Sequence, residues 1–226
     1  MHAGGGIFAR VIELILKVVA SYLLGSILGS LVLARLTGRE DIRALGSRNP
    51  GSTNALRAYG KAFALGVAAI DIGKGWLATR LLPAVALPLA PVSGEVRAWM
   101  PAACGAAVML GHAYPLWFGF RGGKAVATFL GAVLGLVPRL VLPVVLAWAV
   151  VIVLTGFVGL ASIVAAVLFP LFVDRAGLAA ERPLLAFAIV AAVLIVFTHR
   201  ANIARMLAGC EPRAHRLWLF GRHTAS

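Results

Sequence analysis

Along the chain, long apolar runs alternate with short polar breaks rich in glycine. Seven apolar stretches stand out, at about residues 11–36, 60–82, 98–113, 124–138, 139–157, 158–174 and 183–198. A helix needs roughly 17 to 25 apolar residues to cross the hydrocarbon core of a bilayer. The pattern therefore predicts an all-α, polytopic membrane bundle of about seven transmembrane helices, with its weakest boundaries at Pro138 and around residues 156–159. Neither an internal repeat nor a linker interrupts it, so residues 1–226 are read as one domain.

Composition strengthens this reading. Of 226 residues, 61% are hydrophobic and 13% charged, and the mean hydropathy of +0.95 is far above what a water-facing surface of this size tolerates. The first run has no charge from Val18 to Ala34 and no clear small-residue cleavage site, so it is expected to be a retained span and not a signal peptide. The formal charge of +13 is spread over the loops without a separate basic domain. Such a distribution suits anionic lipid or a phosphorylated substrate better than nucleic acid. Cys104 and Cys210 make no metal or disulfide spacing.

The basic residues also predict an orientation. With the N-terminus outside, 13 fall on the cytoplasmic side (Arg35, Arg39, Arg43, Arg48, Arg57, Lys61, Arg121, Lys124, Arg200, Arg205, Arg213, Arg216 and Arg222). Seven fall outside (Arg10, Lys17, Arg80, Arg97, Arg139, Arg175 and Arg182), and Lys74 lies within a span. The excess of Lys and Arg places the C-terminus in the cytoplasm, together with the polar segments that follow the first, third and seventh apolar runs.

Those polar segments hold the candidate chemistry. "GSRNPGSTNALR", Gly46 to Arg57, combines Gly46 and Gly51 with the donors Ser47, Asn49, Ser52, Thr53 and Asn54 and the cations Arg48 and Arg57. Successive backbone N–H groups around glycines form anion nests, and Arg meets phosphate bidentately, so this reads as a phosphate cradle or as a turn made basic by topology. In "GHAYPLWFGFRGGKAVATFLG", Arg121 and Lys124 flank Gly122 and Gly123 just before an apolar helix, whose free N–H groups suit the same anion. It is not a Walker A loop, because Phe118 and Ala125 stand where Gly and Ser or Thr are required. His112 is a candidate ligand or base, although a lone His beside Tyr114 and Pro115 equally suits a structural role.

Three other features remain. "SYLLGSILGS" sets Ser21, Gly25 and Gly29 four residues apart, a helix-packing face that also suits holding the following loop near the bundle. "DIGKG" places Asp71 and Lys74 on one helix face, as a structural ion pair or with Lys74 turned to an anion. In "THRANIARML", His199 and Asn202 share a helix face beside Arg200 and Arg205. No His has an Asp five positions later, and Asp71 is the only acidic residue deep in a span. A His–Asp acyltransferase dyad and a two-metal phosphotransferase site are both disfavoured.

With these segments in order, the chain resembles the bacterial acyl-phosphate:glycerol-3-phosphate acyltransferase family from about Tyr22 to Arg213. The carriers are "GSRNPGSTNALR", "DIGKG", "GHAYPLWFGFRGGKAVAT" and "THRANIARMLAGCEPR". The resemblance implies transfer of a fatty acyl group from acyl phosphate to the sn-1 hydroxyl of glycerol 3-phosphate, giving lysophosphatidic acid and inorganic phosphate with no cofactor and no metal. It also implies a bacterial inner membrane, a cytoplasmic-face site and membrane lipid as surroundings; a monomer is compatible with it. By motif position Gly46, Ser47, Asn49, Gly51, Asn54 and Arg57 belong to one phosphate-binding loop, and His112, Arg121, Gly122, Gly123 and Lys124 to a second. His199, Asn202, Lys124 and Ser47 fall in the catalytic set, with either His199 or a substrate phosphate as base.

The chain departs from the family pattern at Leu28, where a proline is common, and at Arg121, often Lys. Gly156 and Gly159 stand where a basic residue and a serine are expected. A membrane carrier of an organophosphate anion is the main alternative. Against it stand the odd number of spans, the missing repeat and the crowding of basic groups on one face.

Overall fold

The computed structural model describes residues 3–87, 94–215 and 217–220, with side chains from residue 11 onward. Arg216, Arg222 and the side chain of Arg10, all counted in the charge asymmetry, lie outside the described residues. Every one of the seven apolar stretches is helical, and no strand occurs among the described residues. The chain divides into two units, Met1–Pro138 and Arg139–Ser226, at one of the expected weak boundaries.

In the first unit, α1 (Ala3–Gly25) and α2 (Gly29–Leu36) replace the single expected first span, and their axes differ by 52°. Then come α3 (Ser52–Tyr59) and α4 (Lys61–Trp76). The latter runs on through a π-helical turn, Leu77–Leu81, and a 3-10 turn, Leu82–Ala84. The unit closes with α5 (Glu95–Ala113) and α6 (Val126–Leu136). α1 packs on α5, α4 on α6, and both α2 and α3 on α4.

Small residues set these crossings, because lipid gives helices no hydrophobic reason to associate and close backbone approach must do so instead. A Cβ on Gly25 would run into the Val108 carbonyl, and one on Gly111 into the Tyr22 carbonyl, so α1 and α5 touch backbone to backbone there. Gly75 and Gly131 do the same for α4 and α6, facing the carbonyls of Thr128 and Ile72. Lys17 is buried, with its Nζ 2.6 Å from Glu13 Oε1 and donating to the Pro83 carbonyl at 3.0 Å. That pair ties α1 to the end of the α4 extension.

The second unit holds α7 (Val141–Thr155), α8 (Val158–Arg175), α9 (Arg182–Thr198) and α10 (Arg200–Leu207). α8 packs between α7 and α9, with Phe169 edge-on to Phe187 at 6.3 Å. α10 turns away from α9 by 54°. The tail then returns to α7: Ala214 N donates to Gly156 O at 2.8 Å and Leu219 N to Val153 O at 2.9 Å.

Length and apolarity give fewer spans than seven. Lys61–Ala84, Pro138–Thr155 and Val158–Arg175 suffice alone, and the two bent pairs, α1 with α2 and α9 with α10, bring the total to five among the described residues. α6 has 11 residues, so its axis covers only about 16 Å of a core about 30 Å thick.

Two glycines of α4 test the close-approach argument. A Cβ on Gly73 would meet nothing within 4 Å, whereas one on Gly75 would enter backbone. Gly73→Ala is expected to be neutral or stabilising by up to about 1 kcal/mol, and Gly75→Ala to destabilise by about 1–3 kcal/mol, measured by thermal unfolding in detergent.

Candidate active site

The first unit's site starts at the α1–α2 break. A helix end leaves carbonyls or amides without partners, and inside a membrane water is not there to supply them. Lys74 and Asp71, one turn apart on α4, fill both gaps. Lys74 Nζ donates to Gly25 O at 3.0 Å, Ile27 O at 2.7 Å and Asp71 Oδ1 at 2.9 Å, and Gly29 N donates to Asp71 Oδ1 at 3.3 Å. The cation thus sits at the C-terminus of α1 and the carboxylate at the N-terminus of α2, each opposite in sign to the helix dipole it meets. Of the two readings of "DIGKG", the structure shows the ion pair.

The same break holds both polar loops. Tyr22 OH donates to Tyr114 O at 2.7 Å, Leu116 N donates to Ser26 Oγ at 3.2 Å, and Ser30 Oγ donates to Pro50 O at 2.8 Å. The small-residue face of "SYLLGSILGS" therefore packs helices and also anchors loops.

In the first loop Asp41 caps a 3-10 turn, Ile42–Ala44, by accepting from Arg43 N at 2.8 Å. Hydrogen bonding from the Arg43 side chain, chiefly, holds the Asp41 carboxyl below its usual range. This clamp is intact above the ordinary carboxylate pKa and is lost only as pH falls through the lowered value.

Asn54 is buried beneath the loop. Its Nδ2 donates to Ile42 O at 3.2 Å and Leu45 O at 3.0 Å, while its Oδ1 accepts from Ser47 N at 3.1 Å. Asn54 therefore shapes the loop from below. Gly46, Ser47 and Arg48 are exposed, Asn49, Gly51 and Ser52 half-buried, and Thr53 exposed. Arg57 is exposed in the last turn of α3, more than a helical turn from Gly51.

The second loop folds back on the end of α5. Gly123 N donates to His112 O at 3.0 Å and Gly122 N to Ala113 O at 3.2 Å. His112 is buried, with Nδ1 2.8 Å from Lys74 Nζ. A Cβ on Gly123 would strike the His112 ring at Nε2, which explains the glycine. Arg121 is exposed and Lys124 half-buried, next to Ala125, which precedes α6 with no side-chain cap. Thr128 Oγ1, in the first turn of α6, is buried with no hydrogen-bond partner among the described residues.

Three described residues other than glycine have φ in the left-handed region: Arg48 (58°), Phe120 (59°) and Ala125 (60°). All three lie in these two loops. Each costs roughly 1–2 kcal/mol, and strain of this kind persists where surrounding structure dictates it, as at binding sites.

The second unit carries the third motif at the α9–α10 bend. His199 is buried, and its Nδ1–H donates to Ile195 O at 2.7 Å. Asn202, buried as well, donates from Nδ2 to Glu211 Oε1 at 2.6 Å, and Glu211 Oε2 accepts from Arg205 Nε at 2.7 Å. Glu211 escaped the sequence analysis: its signal was a carboxylate nine residues beyond Asn202, in a tail with no periodicity. Nearby, Gly159 packs against Asn202, whose side chain a Cβ there would crowd at 3.1 Å. Gly156 (φ 74°) packs under Arg213 and Trp218. The third motif and the tail thus pack on the two glycines that depart from the expected residues. Among the described residues no three His, Cys, Asp or Glu side chains gather as a metal-ligand set.

Basic, strained loops hung on a broken apolar helix mark the candidate site of an integral membrane protein. Comparison with known proteins makes this specific. The family model described as glycerol-3-phosphate acyltransferase matches residues 15–209, and the chain belongs to that family. It is 38% identical to the glycerol-3-phosphate acyltransferase of Burkholderia cenocepacia (strain HI2424), covering 89% of this chain and 91% of the relative. It is 40% identical to that of Burkholderia ambifaria (strain MC40-6), with the same coverage. The fold matches crystal structures of PlsY (YgiH), an integral membrane glycerol 3-phosphate acyltransferase. For the glycerol 3-phosphate form the TM-score is 0.78 at 38% identity, over 88% of this chain and 94% of the other. For the lysophosphatidic acid form it is 0.77 at 37% identity over the same shares. The protein is an acyltransferase that uses glycerol 3-phosphate.

The strain at Ala125 makes a prediction. Ala125→Gly is expected to raise the unfolding temperature, by relief of up to about 1 kcal/mol, with acylation of glycerol 3-phosphate retained. Ala125→Val, β-branched at a positive φ, is expected to lower both. Thermal unfolding and initial rates check this.

Proposed function

We propose that the acyl donor is an acyl phosphate and that its acyl group passes to the sn-1 hydroxyl of glycerol 3-phosphate, releasing inorganic phosphate and lysophosphatidic acid. The observation that carries this is the pair of basic, strained loops fixed to one helix break in the first unit. A donor and an acceptor that each bear a phosphate require two such cradles. The solved relative with glycerol 3-phosphate, and the same relative with lysophosphatidic acid, support acceptor and product.

In this reading Ser47, with the backbone of Gly46 and Gly51 and with Asn49 and Arg57, serves one phosphate, while Arg121, Gly122, Gly123, Lys124 and His112 serve the other. Asn54 holds the first loop in shape. His199 and Asn202 position glycerol 3-phosphate. The hydroxyl oxygen attacks the acyl carbonyl, the C–O bond to phosphate breaks, and the hydroxyl proton passes to a phosphate oxygen of the substrates. Held reactants and fixed donors at the developing oxyanion supply the rate. The site faces the cytoplasm of a bacterial inner membrane, the acyl chain lies in the bilayer, and no metal takes part.

The test is phosphate release from palmitoyl phosphate by the purified protein in detergent, with and without glycerol 3-phosphate and with EDTA, alongside Lys124→Ala. Release and lysophosphatidate formation should require glycerol 3-phosphate, survive EDTA and fall at least about a hundredfold in the variant. Loss with EDTA, or no turnover by protein that still binds glycerol 3-phosphate, overturns the reading.

A further inference from the structure

His112 is close enough to both Lys74 and Asp71 for its tautomer to be assigned from the network. Lys74 Nζ lies 2.8 Å from Nδ1. An ammonium has three N–H groups and no lone pair, so Nδ1 must be the acceptor and the ring proton sits on Nε2. The other arrangement would aim an Nδ1–H at Asp71 Oδ1, which is 3.6 Å away and beyond hydrogen-bond range, and would set that proton against the ammonium. Gly25 O, Ile27 O, Asp71 Oδ1 and His112 Nδ1 are four acceptors for three protons, so Lys74 has none to spare for a substrate.

The opposite edge of the ring faces the glycine pair. A Cβ on Gly123 would meet Nε2 before any other atom. Gly122 and Gly123 are pinned to the Ala113 and His112 carbonyls, so they lie along the imidazole. No described residue accepts from Nε2.

We propose that Lys74, fixed by Asp71 and the α1–α2 break, is a positioning residue that locks His112 as a neutral Nε2–H donor to a phosphoryl oxygen held over Gly122 and Gly123. The inference rests on reading that segment as a phosphate cradle. It takes His112 out of consideration as a base, because both nitrogens are committed. It also gives a buried charge pair 42 to 49 residues from the break it fills a place in the reaction.

The protein with 15N-labelled histidine, His112 being assigned by its loss in His112→Gln, shows the tautomer directly. The wild type is expected to show an unprotonated Nδ1 and a protonated Nε2, and the Nε2–H resonance should move when substrate is added. Glycerol 3-phosphate and palmitoyl phosphate, added in separate samples, tell which phosphate His112 contacts. The kinetic arm compares His112→Gln, whose amide donor falls near the Nε2 position, with His112→Asn, whose amide falls near Nδ1. kcat/KM for the Gln variant should exceed that for Asn by at least about tenfold, and Asn should lie about a hundredfold or more below wild type.

A protonated Nδ1, an Nε2–H unmoved by saturating amounts of either phosphate, or equal losses in the two folded variants overturns the proposal. The spectra need no turnover and use His112→Gln only to assign the resonance, so they decide it even if palmitoyl phosphate is not the donor. Failure of phosphate release with the expected tautomer and shift would instead discard the donor assignment alone.

Discussion

The first unit depends on how a helix is broken inside a membrane. Ending α1 at Gly25 and restarting at Gly29 exposes two carbonyls and an amide where no water can reach them. Lys74 and Asp71 satisfy all three, and each also neutralises the other. Neither charge is tolerable there alone: removing one partner of a buried pair typically costs about 3–5 kcal/mol. The pair is therefore the condition for the bend, and the bend is what turns Ser26 and Ser30 toward two different loops. From that point the fold's energetics and its chemistry share the same residues.

What hangs from the break is stiff by construction. Arg48, Phe120 and Ala125 occupy the left-handed region, and nothing in their own side chains favours it. They are held there by neighbours: Asn54 binds the first loop at three backbone points, and the glycine pair of the second is hydrogen-bonded to the end of α5. Several of their amides are spent inside the fold, Ser47 N on Asn54 and Gly122 N and Gly123 N on the end of α5, so the loops keep their shape before any anion arrives. A site whose donors need no rearrangement is suited to stabilising charge that develops during reaction.

The sequence made the helical class plain, because apolar runs of this length have no other solution in lipid. It also made plain which loops carry charge. The break was not legible, since Gly25 to Gly29 lies in an uninterrupted apolar run and its satisfying groups come from α4. Residues 124–138 looked long enough to span only because Lys124, Ala125, Val137 and Pro138 flank an 11-residue helix. Asn54 is a donor by residue type, yet burial sends its amide into the loop's own backbone. Glu211 was invisible for the opposite reason: its partners, Asn202 and Arg205, were recognised, but nothing local says that a tail carboxylate returns to them.

The second unit shows the same separation of motif from means. At the α7–α8 turn the resemblance leads one to expect a basic residue and a serine, and this chain has Gly156 and Gly159. Gly156 has φ of 74° and gives its carbonyl to Ala214 N, so a side chain there would be strained and would crowd Trp218 and Arg213 of the tail. The tail brings Arg213 instead, its guanidinium 4.6 Å from the Phe157 ring centre and 4.1 Å from that of Trp218. Positive charge still stands at this turn, delivered by tertiary docking and held by cation–π contact with two rings. The missing side chain at Gly156 and the returning tail are thus one structural solution, since either without the other would leave the turn overfilled or uncovered.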